Sequence, residues 1–213
     1  MNRAQLVLNV LDQMFPNANV ELVHHNHFEL LIAVVLSAQT TDISVNRITP
    51  ALFKKYPTPY LLSQANLSDI ESSLRSIGLY RNKAKNIKML SLVLHEKYNG
   101  QVPSNRKDLE SLPGVGRKTA NVVLSNAFGI PALAVDTHVM RVSIRLGLAK
   151  PNDNVLEIEH KLMRKIPKDK WQKAHHQLIF FGRYHCLARN PKCFECPLFE
   201  ICKFKEKTSN LIE

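Results

Sequence analysis

All four cysteines of the chain fall within its last 28 residues, as Cys186-x6-Cys193-x2-Cys196-x5-Cys202. Thiolates this close together can converge on one centre only if a loop wraps around it, and four sulfur ligands suit either zinc or an iron–sulfur cluster. Coordination chemistry alone leaves the two open. A disulfide framework belongs to small exported domains, and no export signal opens this chain. Its first apolar run is broken by Asn9 and Asp12, and no small-residue cleavage site follows. The spacing also differs from the ferredoxin pattern, whose ligands are more tightly strung.

A second chemical stretch is Leu112-Pro113-Gly114-Val115-Gly116-Arg117-Lys118-Thr119-Ala120. Pro113 sets a turn, and two glycines open backbone conformations closed to other residues and let a phosphate come near. Amides at the start of the following helix then point at that anion, where the helix dipole favours it. Lys118 is out of place by the same logic. A cation at the positive end of a helix is disfavoured, and a neutral amine there is a nucleophile able to attack a sugar carbon and form a Schiff base. The plainer reading is a phosphate ligand.

Asp136 lies 18 residues beyond Lys118, in Ala134-Val135-Asp136-Thr137-His138-Val139-Met140-Arg141. It stands where an N-cap is expected, and a carboxylate held by helix-end amides stays ionised, able to steady a developing positive charge and move a proton. Both roles can coexist. His24, His25, His27 and the pair His175 and His176 lack matching ligands at metal spacing, so they read as surface or helix-packing residues.

These residues need elements to hold them, and the periodicity is helical from end to end, with no alternating strand or hairpin signal. The expected class is all-α. Ala4 to Phe15 is amphipathic and stops at Pro16, whereas Phe28 to Ala38 is apolar nearly all round and should lie deepest. Asn66 with Asp69, and Asn154 with Glu157, mark helix starts, while Gly129 before Pro131 marks a stop. Pro50 should kink or divide a helix over residues 42 to 56. Gly78-Leu79-Tyr80-Arg81 and Gly114-Val115-Gly116-Arg117 both read as a tight turn feeding a basic helix start.

The chain's 213 residues suit one compact body or two intimately packed lobes, and 45% hydrophobic content with 7 Gly and 11 Pro fits a folded globule. Twenty-nine Lys and Arg against 18 Asp and Glu give a net charge of +11, which points to a polyanionic partner such as nucleic acid. The longest apolar stretch, Leu30 to Leu36, is far short of the ~20 residues that span a bilayer, so no membrane partner is expected and the protein should be cytoplasmic.

Three strings together resemble one family. The glycine turn resembles the helix-hairpin-helix element with which DNA repair proteins grip backbone. The cysteine spacing resembles the [4Fe–4S] loop of the endonuclease III family, and Val135-Asp136-Thr137-His138 resembles its catalytic aspartate motif. Leu36-Ser37-Ala38-Gln39-Thr40-Thr41-Asp42 is also close to a family string. The resemblance implies a fold of two helical lobes with a DNA-binding cleft between them. One is a six-helix barrel over residues 20–130 with the helix-hairpin-helix at about 106–125, and the other is an iron–sulfur lobe of 1–19 and 131–213. It implies Lys118 and Asp136 as catalytic residues, with Cys186, Cys193, Cys196 and Cys202 on a [4Fe–4S] cluster. Leu112, Gly114, Val115, Gly116 and Arg117 would bind DNA. A base drawn out of the duplex leaves a gap, which Gln39 would plug and Leu79 would wedge; unaided, these two read as a C-cap glutamine and an exposed turn leucine.

The implied activity is that of a DNA glycosylase and abasic-site lyase acting on oxidised pyrimidines in double-stranded DNA, as a monomer. Lys192, Lys203 and Lys205 would form a basic surface stiffened by the cluster. An adenine-mismatch glycosylase of the same superfamily is the nearest alternative, but such enzymes lack the lysine and continue into a further domain, whereas here Lys118 is present and 11 residues follow Cys202. A helix-hairpin-helix protein that only binds DNA would leave the lysine, the aspartate and the cysteines unexplained.

Overall fold

The computed structural model describes residues 2–207, which form eleven α-helices and two 3-10 turns without a strand. The chain divides into two units, one of Glu21–Ile130 and one of Met1–Val20 with Pro131–Glu213, called here the inserted and the terminal unit. The terminal unit opens with α1 (Arg3–Met14), capped by the side chain of Asn2, which accepts the Gln5 N–H.

The inserted unit holds α2 (His27–Leu36), α3 (Asp42–Lys55), α4 (Pro59–Gln64), α5 (Leu67–Leu74), α6 (Tyr80–Tyr98), α7 (Arg106–Glu110) and α8 (Arg117–Phe128). Every residue of α2 from Phe28 to Leu36 is buried, as its all-round apolar sequence requires, and α3, α6 and α8 pack against it. Each of its fully buried leucines contributes about 1.5–3 kcal/mol by leaving water. The one acid in this helix, Glu29, is satisfied by the backbone N–H of His25 at 2.7 Å and by the His25 ring at 2.9 Å. Pro50 does not divide α3. It lies on the exposed side, where solvent can satisfy the carbonyl it leaves without a donor, while Val45, Thr49, Leu52 and Phe53 anchor the other side. Asn66 occupies the N-cap of α5 but makes no side-chain capping bond.

The terminal unit continues with α9 (Thr137–Arg145), α10 (Val155–Lys165) and α11 (Trp171–Tyr184). Asn154 and Glu157 form a reciprocal capping box at α10, and Gly129 ends α8 in the left-handed conformation. The core of this unit gathers Val7, Leu8 and Leu11 of α1 with Val139 and Val142 of α9, Leu162 of α10, and Leu178 and Phe181 of α11. His175 and His176 are buried on α11. His175 Nδ1 contacts the Ala134 carbonyl at 2.9 Å, and burial, with the neighbouring His175 and Arg183, pushes His176 down to about 3. No helix among the described residues is long and apolar enough to cross a membrane.

Candidate nucleic-acid interface and metal centre

α7 and α8 form a helical hairpin around the glycine turn. Leu112 and Val115 are buried, and the Val115 N–H closes the turn on the Leu112 carbonyl at 3.1 Å, so any contact they offer outward is through backbone. Gly114 has φ +79, and a Cβ there would lie 3.0 Å from the Cβ of Asn86, so both conformation and space demand glycine. Gly116 is different. Its φ is −100, and a Cβ would meet nothing within 4 Å. The expectation of two conformationally special glycines therefore holds for Gly114 alone, and at Gly116 the missing side chain leaves bare backbone facing open space. Gly116 is the N-cap of α8, no side chain caps that helix, and no acid lies in its first turn. Lys118, the second residue of α8, is exposed.

Three other segments of the inserted unit carry left-handed, non-glycine residues: Gln39 (φ 54), Leu79 (φ 57) and Asn99 (φ 50), the last at the C-cap of α6. Such a leucine costs about 1–2 kcal/mol and persists where the surroundings dictate it, most often at working sites. α2 is capped at Ser37, so Gln39 is not its C-cap but stands exposed in the turn beyond, and Leu79 is 56% exposed at the N-cap of α6. The Gln39 and Leu79 segments are joined by Lys83, whose Nζ donates to Thr40 Oγ1 at 2.5 Å. Lys83 is only 4% exposed, and burial lowers its pKa. Sequence reasoning missed it, although a signal exists: Lys83 shares the spacing of the buried Ile87, Leu90 and Leu94, a lysine on an apolar stripe.

Asp136 belongs to the terminal unit, whereas Lys118 belongs to the inserted one. It is the N-cap of α9, and its Oδ1 accepts the Val139 N–H at 2.7 Å, so the capping role is real. That bond occupies one carboxylate oxygen. His138, the second residue of the same helix, is half-buried; burial lowers its pKa, and Arg141 Nη2 lies 3.3 Å from its Nδ1.

The four cysteines carry no disulfide and together line one small cavity of about 20 Å³, walled also by Leu146, Phe181, His185 and Phe199. Burial raises the Cys186 thiol and pushes Cys196 up to about 11, so these sulfurs are poor hosts for bare negative charge and need cations to become ligands. The Nε2 of His185, on the cavity wall, is buried without a hydrogen-bond partner. Among the described residues no three His, Cys, Asp or Glu side chains surround a single-ion position. All four sulfurs wall this cavity, and as a donor set they fit a [4Fe–4S] cluster held by Cys186, Cys193, Cys196 and Cys202.

Arg145 organises this loop. It donates to the carbonyls of Leu187 at 2.6 Å and Ala188 at 3.2 Å, reaches Cys186 Sγ at 3.5 Å, and lies over the Phe204 ring at 3.9 Å. Its partners are over 40 residues away in sequence, so no local pattern announced it. Lys192, Lys203 and Lys205 are exposed around the loop, whereas Lys207 is folded back onto the carbonyls of Phe199 and Cys202.

An uncapped helix start in a helical hairpin, within an all-helical fold that ends in a cysteine loop, defines a DNA-repair architecture. Residues 32–168 match the HhH-GPD superfamily of base excision DNA repair proteins, and residues 186–202 match the iron-sulfur binding domain of endonuclease III. The chain is 55% identical to endonuclease III of Bacillus subtilis, covering 97% of this chain and 94% of that protein. It is 46% identical to that of Escherichia coli K12, covering 97% and 99%. A solved structure of a trapped endonuclease III–DNA covalent intermediate superposes with a TM-score of 0.92 at 56% identity, over 95% of this chain and 96% of that one. The chain belongs to the endonuclease III family.

Proposed function

We propose that this enzyme, a DNA glycosylase and abasic-site lyase, removes oxidised pyrimidines from duplex DNA with Lys118 as nucleophile and Asp136 as its carboxylate partner. The observation that carries the reading is the lysine exposed in the first turn of α8, directly after the uncapped hairpin turn. The turn and the helix-end amides hold the phosphate of the lesion strand, with Gly116 allowing the approach. The Lys118 amine attacks C1′ of the extruded nucleotide, the glycosidic bond breaks, and its electron pair leaves with the base, which takes up a proton. The Asp136 carboxylate, fixed by the Val139 amide, steadies the positive charge on the sugar and relays the proton lost by the amine. The nitrogen lone pair then expels the ring oxygen O4′, which takes up a proton, and leaves an iminium ion at C1′ whose nitrogen keeps its remaining hydrogen. Removal of a C2′ proton then expels the 3′ phosphate, and water releases Lys118.

Gln39 fills the space of the extruded nucleotide and Leu79 enters from its own turn, each displayed by a strained, exposed backbone position. Leu112 and Val115 contribute through the turn they shape, and Gly114 and Arg117 complete the phosphate grip. The cluster, when bound, ties Cys186 to Cys202 into one rigid loop that presents Lys192, Lys203 and Lys205 to the backbone. The enzyme acts as a monomer, on chromosomal DNA in the cytoplasm.

Borohydride reduction tests the assignment. The wild type should be trapped covalently on a duplex with an oxidised pyrimidine or an abasic site. Lys118→Ala should lose trapping by about 10³-fold or more while still binding the duplex, because only the bond-forming step needs the amine. Wholesale loss of affinity instead would make Lys118 a phosphate anchor.

A further inference from the structure

We propose that Lys83 is a positioning residue that fixes the spacing of the two lesion-facing loops by tying the turn of residues 37–41 to the start of α6. The proposal rests on the reading that Gln39 and Leu79 enter the DNA from those two loops. Lys83 lies one turn into α6 from Leu79, is 4% exposed, and donates to the hydroxyl of Thr40, next to Gln39. A buried lysine ordinarily pairs with a carboxylate. This one meets a hydroxyl, and it sits at the positive end of a helix with no acid in its first turn.

For stability alone an apolar side chain would serve better here, since Lys83 shares a buried stripe with Ile87 and Leu90. A directional hydrogen bond does what an apolar contact does not, which is to hold register between two segments 43 residues apart. Asn86 extends the same face of α6, and its side chain lies against Gly114 of the hairpin turn. Positions 79, 83 and 86 therefore make one helix face the reference edge for the wedge, the plug turn and the phosphate grip. Insertion into a duplex from two loops at once requires their separation to be set beforehand, because a displacement near 1 Å costs about 100-fold in rate.

The test compares one abasic site presented in a duplex and in a single strand, by single-turnover borohydride trapping at saturating enzyme. The bond formed is the same, and only the duplex demands insertion. Lys83→Met, Thr40→Val, their combination and Leu79→Ala are run with the holoenzyme. Lys83→Met should slow trapping on the duplex by about tenfold or more and on the single strand by less than about twofold, with a melting temperature at or above that of wild type. Thr40→Val strands a buried donor and should lower the melting temperature, whereas the double variant should match Lys83→Met in both readouts. Equal slowing on both substrates, or none on either, would refute the tether. If Leu79→Ala leaves duplex trapping intact, the underlying loop reading fails and the tether with it. If Leu79→Ala loses duplex trapping and Lys83→Met does not, the tether alone is wrong.

Discussion

The hairpin turn and the cysteine loop both end in exposed basic residues, yet they are held in opposite ways. Between α7 and α8 the chain is shaped by short-range rules: a left-handed glycine, a turn closed by the Val115 amide, and two buried side chains beneath it. Between Cys186 and Cys202 the only regular element is the three-residue 3-10 turn Cys193–Glu195, and the loop hangs on Arg145 and on four sulfurs around a cavity. A surface that must meet phosphate in the right geometry is organised before the ligand arrives. A loop that exists to surround a metal group is completed by that group, because only bonds to the group compensate the backbone entropy of ordering it.

The largest expected effect that separates the two regions is that of removing the cluster. Stripping iron, or replacing Cys193 and Cys196 together by Ser, should abolish hydrogen-exchange protection around residues 186–207 and weaken the terminal unit by several kcal/mol. The hairpin amides should keep theirs, and equal loss in both would show that the two are not independently organised. Next comes Gly114→Ala. It forces a side chain into a left-handed position and against Asn86, and should lower stability by about 1–3 kcal/mol in thermal unfolding.

Acid should act on the terminal unit through His176. Its folded pKa of about 3 lies below the ordinary 6.5, so the unfolded chain takes up the proton first as pH falls. The His176 contribution is complete above pH 6.5 and declines between 6.5 and about 3, with a slope of at most about 1.4 kcal/mol per pH unit. His176→Gln should flatten that slope in urea titrations, and an unchanged slope would assign the acid sensitivity elsewhere. The smallest effect is expected of Gly116→Ala, where the protein has room and the backbone needs no glycine. Stability should change by less than about 1 kcal/mol while duplex affinity falls about tenfold. A variant that binds DNA as wild type would show that no phosphate approaches this face.

Much of this was legible beforehand for a local reason. Helix periodicity, the capping box at Asn154, the stop at Gly129 and the apolar run of α2 are all written within a few residues, and each reappears in the structure. The cysteine spacing and the glycine turn are equally local. The structure departs from these local expectations at three positions. Pro50 was tolerated because the anchoring residues of α3 lie on its other side, Asn66 holds the cap position without using its side chain, and Gln39 was carried past the end of α2 into a strained turn.

By itself, the sequence determined which residues could do chemistry and which helices would carry them, because side-chain type and short spacing are properties of the chain. Tertiary structure decided which of two neighbouring glycines is obligatory, that a lysine on α6 is buried against a threonine 43 residues earlier, and that an arginine at the end of α9 clamps the cysteine loop. Those are decided by packing between segments distant in sequence, where burial, strain and hydrogen-bond partners are set by whatever the fold brings alongside.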